Sequence, residues 1–248
     1  ELMRRLFYAG ELAEEIRITG GDAHHLAHVM RAQIGDDVIV AGADGRAARM
    51  TVTAAARDAV TLTLAEYIAQ EEACGIEVFL AQALLKGEKM DFVVQKAAEL
   101  GAAGIYPVET EHVVVRYDMK KAAAKTARWQ KIADEAAKQC GRSKLMPVAP
   151  IRPLADLLGD ARIFDPADTA IVFCYEQEHR QSVRTALQTI KARRVVIFVG
   201  AEGGFSPAEA DMICAAGGQP VSLGRLILRA ETAALTALAV TQYELGNL

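Results

Sequence analysis

Two segments near the carboxyl end hold the residue types that can do chemistry. One is Gly200-Ala-Glu-Gly-Gly204, running on into Phe205-Ser-Pro-Ala-Glu209; the other is Leu223-Gly-Arg-Leu-Ile-Leu-Arg-Ala-Glu-Thr232. Gly203 and Gly204 allow backbone conformations that a Cβ forbids and let another molecule approach the chain closely. The first segment is not a Walker phosphate loop, because no Gly-Lys-Ser/Thr follows it. It also lacks the GxGxxG dinucleotide fingerprint and the acidic residue that fingerprint needs further on. In the second segment Leu223-Gly224 ends a short strand, and Arg225 to Arg229 forms an apolar loop before a helix that begins near Glu231-Thr232. Two glycine turns at neighbouring strand ends can hold a flat aromatic ring between backbone groups and aliphatic side chains. Either turn alone reads equally well as a tight strand-to-helix connection.

The β-branched run Val195 to Val199 predicts a buried strand that stops at Gly200. Ser206 fits an N-cap, Pro207 the first helical position, and Glu209 completes a Ser-x-x-Glu capping box. Strand, glycine turn and helix in that order place a ligand site at the carboxyl end of a sheet strand. Upstream, the continuous apolar run Ile76 to Leu85 predicts a strand, followed by a helix over 88–100, a strand over 105–108 and a short strand over 113–115. A helix over 122–140, a strand over 170–174 and a helix over 182–190 complete the pattern. Strands buried on both faces and alternating with helices imply an α/β fold with a mainly parallel sheet.

Residues 1–70 read differently. Short strands at 6–8, 15–18, 38–40, 47–54 and 60–64, one helix over 23–32 behind Asp22, and a hairpin turn at Ala43-Asp-Gly-Arg46 have the layout of a small β-barrel. Residues 68–75, acidic and ending on a glycine, are the expected linker. Arg4, Arg5, Arg17, Arg31, Arg46, Arg49 and Arg57 offer a phosphate-binding face, although acidic residues nearly balance them. The last helix, from Glu231 to about Leu245, is apolar nearly all round, which predicts burial on every side, within the chain or in a homodimer interface.

The formal net charge of −4 gives no general support to nucleic-acid binding, so such a partner requires a local basic patch. No apolar run is long enough for a membrane span. Cys74, Cys140, Cys174 and Cys214 form no CxxC pair and read as reduced thiols of a cytoplasmic protein. His24, His25 and His28 have helical metal spacing but no matching cysteine or carboxylate, so no metal is expected there.

The GAEGGFSPAE and LGRLILRAETAALTAL runs together resemble the SPOUT methyltransferases. Leu85-Lys-Gly-Glu-Lys-Met-Asp91, Gln95-Lys-Ala-Ala-Glu-Leu-Gly101, Trp129-Gln-Lys-Ile-Ala133 and Gln139-Cys-Gly-Arg142 are similar to one branch, which methylates N3 of a uridine in 16S ribosomal RNA. The resemblance spans nearly the whole chain. It implies a PUA-like, RNA-binding barrel at 1–70 and, at 76–248, a domain with a carboxyl-terminal trefoil knot that binds S-adenosylmethionine. Knots are nearly absent from other proteins, so hydrophobic pattern alone would not suggest one. By the same resemblance Phe173, Cys174, Val199, Gly200, Glu202 and Gly203 lie on two cofactor loops, and Leu223, Gly224, Ile227, Leu228, Arg229 and Thr232 on the third. The loop Tyr175-Glu-Gln-Glu-His179 departs from the pattern in being polar and acidic. Dimerisation through knot-associated helices is also implied.

The implied reaction brings the methyl of a sulfonium in line with uracil N3, which must lose its proton. Arg229 stays protonated and so is not a base, but it can stabilise charge on a uracil carbonyl oxygen or hold a phosphate. Glu231 or Glu202 can accept the proton; either also reads as a helix cap or loop-orienting residue. Lys86, Lys89, Arg116 and Arg142, with the barrel arginines, form the expected phosphate track for 16S rRNA or the assembled small subunit. The rival readings are a SPOUT enzyme acting on a ribose 2′-hydroxyl or another base, and a non-catalytic RNA-binding assembly factor.

Overall fold

A computed structural model describes residues 5–29, 31–42, 46–56, 58–68, 75–142 and 144–248. Arg4, Arg57, Cys74, most of the expected linker and most of the 43–46 turn lie outside these residues. The chain divides into two units, one of residues 1–74 with 137–145, the other of 75–136 with 146–248.

In the first unit, β1 (Arg5–Tyr8) and β2 (Glu15–Thr19) precede a short helix α1 (Gly20–His24), which runs on as a π-helical turn over His25–Val29. β3 (Asp37–Gly42), β4 (Ala47–Ala56) and β5 (Ala59–Ile68) follow. The sheet order is β1-β3-β4-β5-β2, with β1 and β3 parallel and the other pairs antiparallel. Register shifts between Arg49 and Met50 and between Val52 and Ala54 bend the long β4–β5 hairpin, so the sheet curls. Alternating residues such as Ile16, Ile18, Val38, Val40, Met50, Val52, Val60 and Leu62 form its core, closed by Ala23 and Leu26. The helix expected over 23–32 begins earlier and stops sooner. Arg31 takes a left-handed φ of 50°, and the Ala32 N–H returns to the Leu26 carbonyl at 2.9 Å, which ends the helix. Two of the barrel arginines are structural ties. Arg46 donates to the Leu12 carbonyl at 3.0 Å, and Arg49 bridges Asp37 and Glu66, each at 3.1 Å.

The second unit contains β6 (Glu77–Ala83), α2 (Lys89–Glu99), β7 (Gly104–Glu109), most of α3 (Met119–Cys140), β8 (Arg152–Pro153) and α4 (Leu154–Leu158). β9 (Thr169–Cys174), α5 (Val183–Leu187), β10 (Arg194–Val199), α6 (Pro207–Ala215), β11 (Gln219–Val221) and α7 (Ala230–Glu244) complete it. All strands are parallel, in the order β11-β9-β10-β6-β7-β8. Alternation along β10 feeds two cores. Val195, Ile197 and Val199 join one with Trp129, Met90 and Leu238, while Val196 and Phe198 join the other with Phe173, Phe205 and Ile213. The sheet is therefore covered on both faces, the α/β class expected from the sequence.

Residues 113–115 are not a strand. The place beside β7 is taken by β8, and the Val113 N–H instead turns back to the Thr110 carbonyl at 3.4 Å. α7 packs on α2, α5, β6 and β10 and buries Ala234, Ala237, Leu238, Thr241 and Gln242. Its outer side is not enclosed within the chain: Val240 is half-buried and Tyr243 exposed. Among the described residues no helix is long and apolar enough to cross a membrane.

Candidate active site

Where β10 ends, the chain folds back on itself. The Gly204 N–H donates to the Ala201 carbonyl at 3.0 Å, and Gly204 adopts φ 68°. The fold is so close that a Cβ on Gly200 would stand 2.8 Å from the Gly204 carbonyl carbon. Gln82, wholly buried at the end of β6, donates to the Gly200 carbonyl at 3.2 Å and to the Ala83 carbonyl at 2.9 Å. The capping box predicted for Ser206 and Glu209 is present, with Pro207 opening α6. A neighbouring loop fastens the corner from outside, where His112 Nδ1 is 2.8 Å from the Gly203 carbonyl oxygen.

The second segment starts from β11, which pairs with β9. The Tyr175 N–H donates to the Val221 carbonyl at 3.1 Å, and the Ser222 N–H to the Gln181 carbonyl at 2.8 Å. These bonds bring the polar loop after β9 beside the segment after β11. Gly224 then adopts φ 125°, a conformation for which glycine is suited, and Arg229 occupies the N-cap of α7.

The three loops enclose a cavity of about 470 Å³. Of the expected ligand residues, Cys174, Val199, Gly200, Glu202, Leu223, Gly224, Ile227, Leu228 and Arg229 line it. Phe173, Gly203 and Thr232 do not. Phe173 alternates with Cys174 along β9 and turns into the opposite core, its ring centroid 5.7 Å from that of Tyr175 and 6.2 Å from that of Phe205. Gly203 backs onto His112, where an added Cβ would meet the His112 Cβ at 3.0 Å. Thr232 is exposed in the first turn of α7. Sequence reasoning did not assign Tyr175, Glu176, His179 and Ser222 to the wall, yet they line it. The signal was available, since a polar, acidic run directly after an apolar strand is out of keeping with a packed connection.

Lys89, expected on the phosphate track, also lines the cavity. Its Nζ lies 2.9 Å from Glu202 Oε1 and 3.5 Å from Glu231 Oε2. The hydrogen bond to Glu202 holds the Lys89 ammonium above its ordinary pKa. Partial burial pushes the Glu202 carboxyl upward, but the Lys89 hydrogen bond and the charges of Lys89 and Lys86 outweigh it and leave the carboxyl below its usual range. Burial pushes the Cys174 thiol up to about 12. Glu231 Oε2 is buried and makes no hydrogen bond among the described residues. The exposed Arg229 guanidinium likewise makes no ion pair or hydrogen bond among them. The cavity wall thus carries an unengaged guanidinium at Arg229 and a carboxylate at Glu202 held by Lys89, groups that can stabilise negative charge and move a proton.

The remaining expected RNA contacts are distributed over the two units. Arg17 and Arg31 are exposed in the first unit, where Arg142 is half-buried and donates through Nε to the Lys144 carbonyl at 3.1 Å. Burial lowers the Arg142 pKa. Arg5 opens β1. Lys86 and Arg116 are exposed in the second unit. The His24 and His28 rings lie 4.5 Å apart, and the described residues contain no cluster of three or more metal-ligating side chains.

Comparison with known proteins gives consistent results. The RNA methyltransferase domain family matches residues 71–242, and the RNA methyltransferase PUA domain family matches residues 18–65. The chain is 34% identical to ribosomal RNA small subunit methyltransferase E of Bacillus subtilis, over 94% of this chain and 92% of that one. It is 33% identical to the protein of the same name from Synechocystis, over 90% of this chain and 71% of that one. Among solved structures, ribosomal RNA small subunit methyltransferase E from Neisseria gonorrhoeae, bound to S-adenosylmethionine, superposes with a TM-score of 0.83 at 28% identity, over 97% of each chain. A Legionella pneumophila methyltransferase in complex with the same cofactor gives a TM-score of 0.84 at 28% identity, again over 97% of each chain.

Proposed function

The chain belongs to the ribosomal RNA small subunit methyltransferase E family of RNA methyltransferases, and from that premise we propose that it uses S-adenosylmethionine to methylate N3 of a uridine in 16S ribosomal RNA. The observation that carries the reading is the cavity of about 470 Å³, in the size range of small-molecule sites. The fit is chemical as well as volumetric. A Cβ on Gly224 would stand in open space, and one on Gly204 would meet only the Glu176 carboxylate at 3.6 Å, so the missing side chains leave room for a ligand. Leu223, Ile227 and Leu228 suit an adenine ring, while the carboxylates of Glu176 and Glu202 suit a ligand bearing cationic groups.

When bound, S-adenosylmethionine supplies an electrophilic methyl group on a positively charged sulfur. The chain's task is to present uracil N3 in line with that methyl, and positioning alone can supply up to about 7–11 kcal/mol of the barrier. Arg229, at the cavity edge with an unengaged guanidinium, stabilises the negative charge that develops on a uracil carbonyl oxygen as N3 loses its proton. Glu231 accepts that proton. Its Oε2, buried in the first turn of α7 and ion-paired with Lys89 without accepting a hydrogen bond, supports this role over simple capping. The proton that N3 gives up passes to the Glu231 carboxylate as N3 takes the methyl.

Arg4, Arg5, Arg17, Arg31 and Arg142 of the amino-terminal, RNA-binding domain over residues 1–70 and its associated segment, with Lys86 and Arg116 of the methyltransferase domain over 76–248, hold rRNA phosphates of the cytoplasmic small subunit. The half-buried outer side of α7, with Val240 and exposed Tyr243, joins two copies into a homodimer. The test is incubation of 16S rRNA and of small subunits with cofactor carrying a deuterated methyl, followed by nucleoside mass spectrometry. Labelled 3-methyluridine is expected. Label on a ribose or another base, or no label on either substrate, would overturn the proposal.

A further inference from the structure

We propose that Lys89 is a positioning residue that ties two of the cavity loops together, rather than a cation that grips RNA phosphate; this rests on the cavity being the S-adenosylmethionine site. Lys89 belongs to neither loop. It opens α2, and its ammonium is the point at which three distant segments meet. Glu202 comes from the glycine turn after β10, and Glu231 from the first turn of α7, directly beyond the loop that ends at Arg229. Both carboxylates lie within 3.5 Å of the single Lys89 nitrogen. The ammonium donates a hydrogen bond to Glu202 and holds Glu231 as an ion pair.

Lys89 places one positive charge against both carboxylates. Among the described residues, Lys89 is the only ion-pair partner of either Glu202 or Glu231. Removing it leaves both carboxylates without an ion-pair partner among the described residues, one of them with a buried oxygen, and unfastens the glycine turn from the start of α7. The same geometry argues against a phosphate grip. Lys89 already faces two carboxylates, and an RNA phosphate would have to displace them. The raised pKa of Lys89 agrees with a cation kept charged by these partners.

The test uses the full chain, with calorimetric titration of S-adenosylmethionine, filter binding of transcribed 16S rRNA and thermal unfolding of each variant. Lys89→Met should weaken cofactor binding by about tenfold, a size expected for coupling within one ion-pair network. Lys89→Arg should retain most of the affinity, and rRNA affinity should be unchanged in both. Glu202→Gln removes one of the charges that Lys89→Met strands, so the double variant should lose less than the two single losses combined. Should Lys89→Met fail to fold, the double variant is compared with Glu202→Gln alone; cofactor affinity within about twofold supports the tie, because Lys89 then has no Glu202 charge to hold, and a further tenfold loss overturns it. Cofactor affinity unchanged in Lys89→Met, or a loss of rRNA affinity with cofactor affinity intact, overturns the tie alone. A wild-type chain that takes up no cofactor overturns the methyltransferase reading instead.

Discussion

The backbone N–H of Glu111 donates to Glu209 Oε1 at 2.7 Å, while Oε2 of the same carboxylate accepts the Ser206 N–H at 3.0 Å. One buried side chain therefore caps α6 and also fastens the loop after β7 to the glycine corner. The capping half of this relationship follows from the local Ser-x-x-Glu spacing. The fastening half depends on a strand far away in the chain.

The two halves separate by mutation. Ser206→Ala removes only the N-cap acceptor and should cost about 1 kcal/mol in urea unfolding. Glu209→Ala leaves the Ser206 N–H without its acceptor in a buried setting and the Glu111 N–H in a part-buried one, and should cost about 2–3 kcal/mol. Equal losses would mean that the bond to Glu111 contributes nothing.

Gly200 is required by close approach. The Cβ of Gly200→Ala would meet the backbone of Gly204 at 2.8–3.2 Å, and no side-chain rotation relieves a backbone contact. The variant should lose about 1–3 kcal/mol of stability, in the range of other overpacked sites. It should also bind S-adenosylmethionine more weakly, because the turn that forms one cavity wall must shift. A variant with native unfolding midpoint and native affinity would contradict this geometry.

Cys174 gives a prediction with a defined sign in pH. Its thiol is pushed up to about 12 from an ordinary value of 9.0, so the fold favours the neutral form. The associated stability is complete below the ordinary value and is lost as pH rises from there towards the folded value. Alkylation needs the thiolate. With iodoacetamide at about pH 8, exposed Cys140 and Cys214 should label while Cys174 labels only on unfolding, as read by peptide mass spectrometry. Bound S-adenosylmethionine should slow any residual labelling further.

Arg229 is argued to act on developing charge, and so should influence turnover more than cofactor binding. Arg229→Ala should lower kcat by about 10²–10³, the usual loss for an electrostatic stabiliser, with cofactor affinity within about threefold of wild type. An equal loss in both would make Arg229 a cofactor-binding residue instead.

What was legible in the sequence was local or periodic. The capping box needs only four residues, and the apolar runs at 76–85 and 195–199 announce their strands. The runs at 15–18 and 60–64 likewise announce β2 and β5. What was missed depends on partners distant in the chain. Residues 113–115 have strand composition but no free neighbour to pair with once Arg152-Pro153 occupies the edge. Arg31 ends its helix through a backbone conformation that its residue type does not announce. The family resemblance pointed to the three cavity loops, but not to the side of β9 on which Phe173 falls. Lys89 read as one more surface cation because its two partners lie more than a hundred residues further along the chain.

The most direct test of the central claim is a calorimetric titration of S-adenosylmethionine into the full chain, repeated with Gly200→Ala. Saturable binding of one cofactor per cavity is expected, weakened in the variant whose cavity wall is displaced. Absence of heat at millimolar cofactor, or binding that Gly200→Ala leaves untouched, would contradict the claim that these loops form the cofactor site.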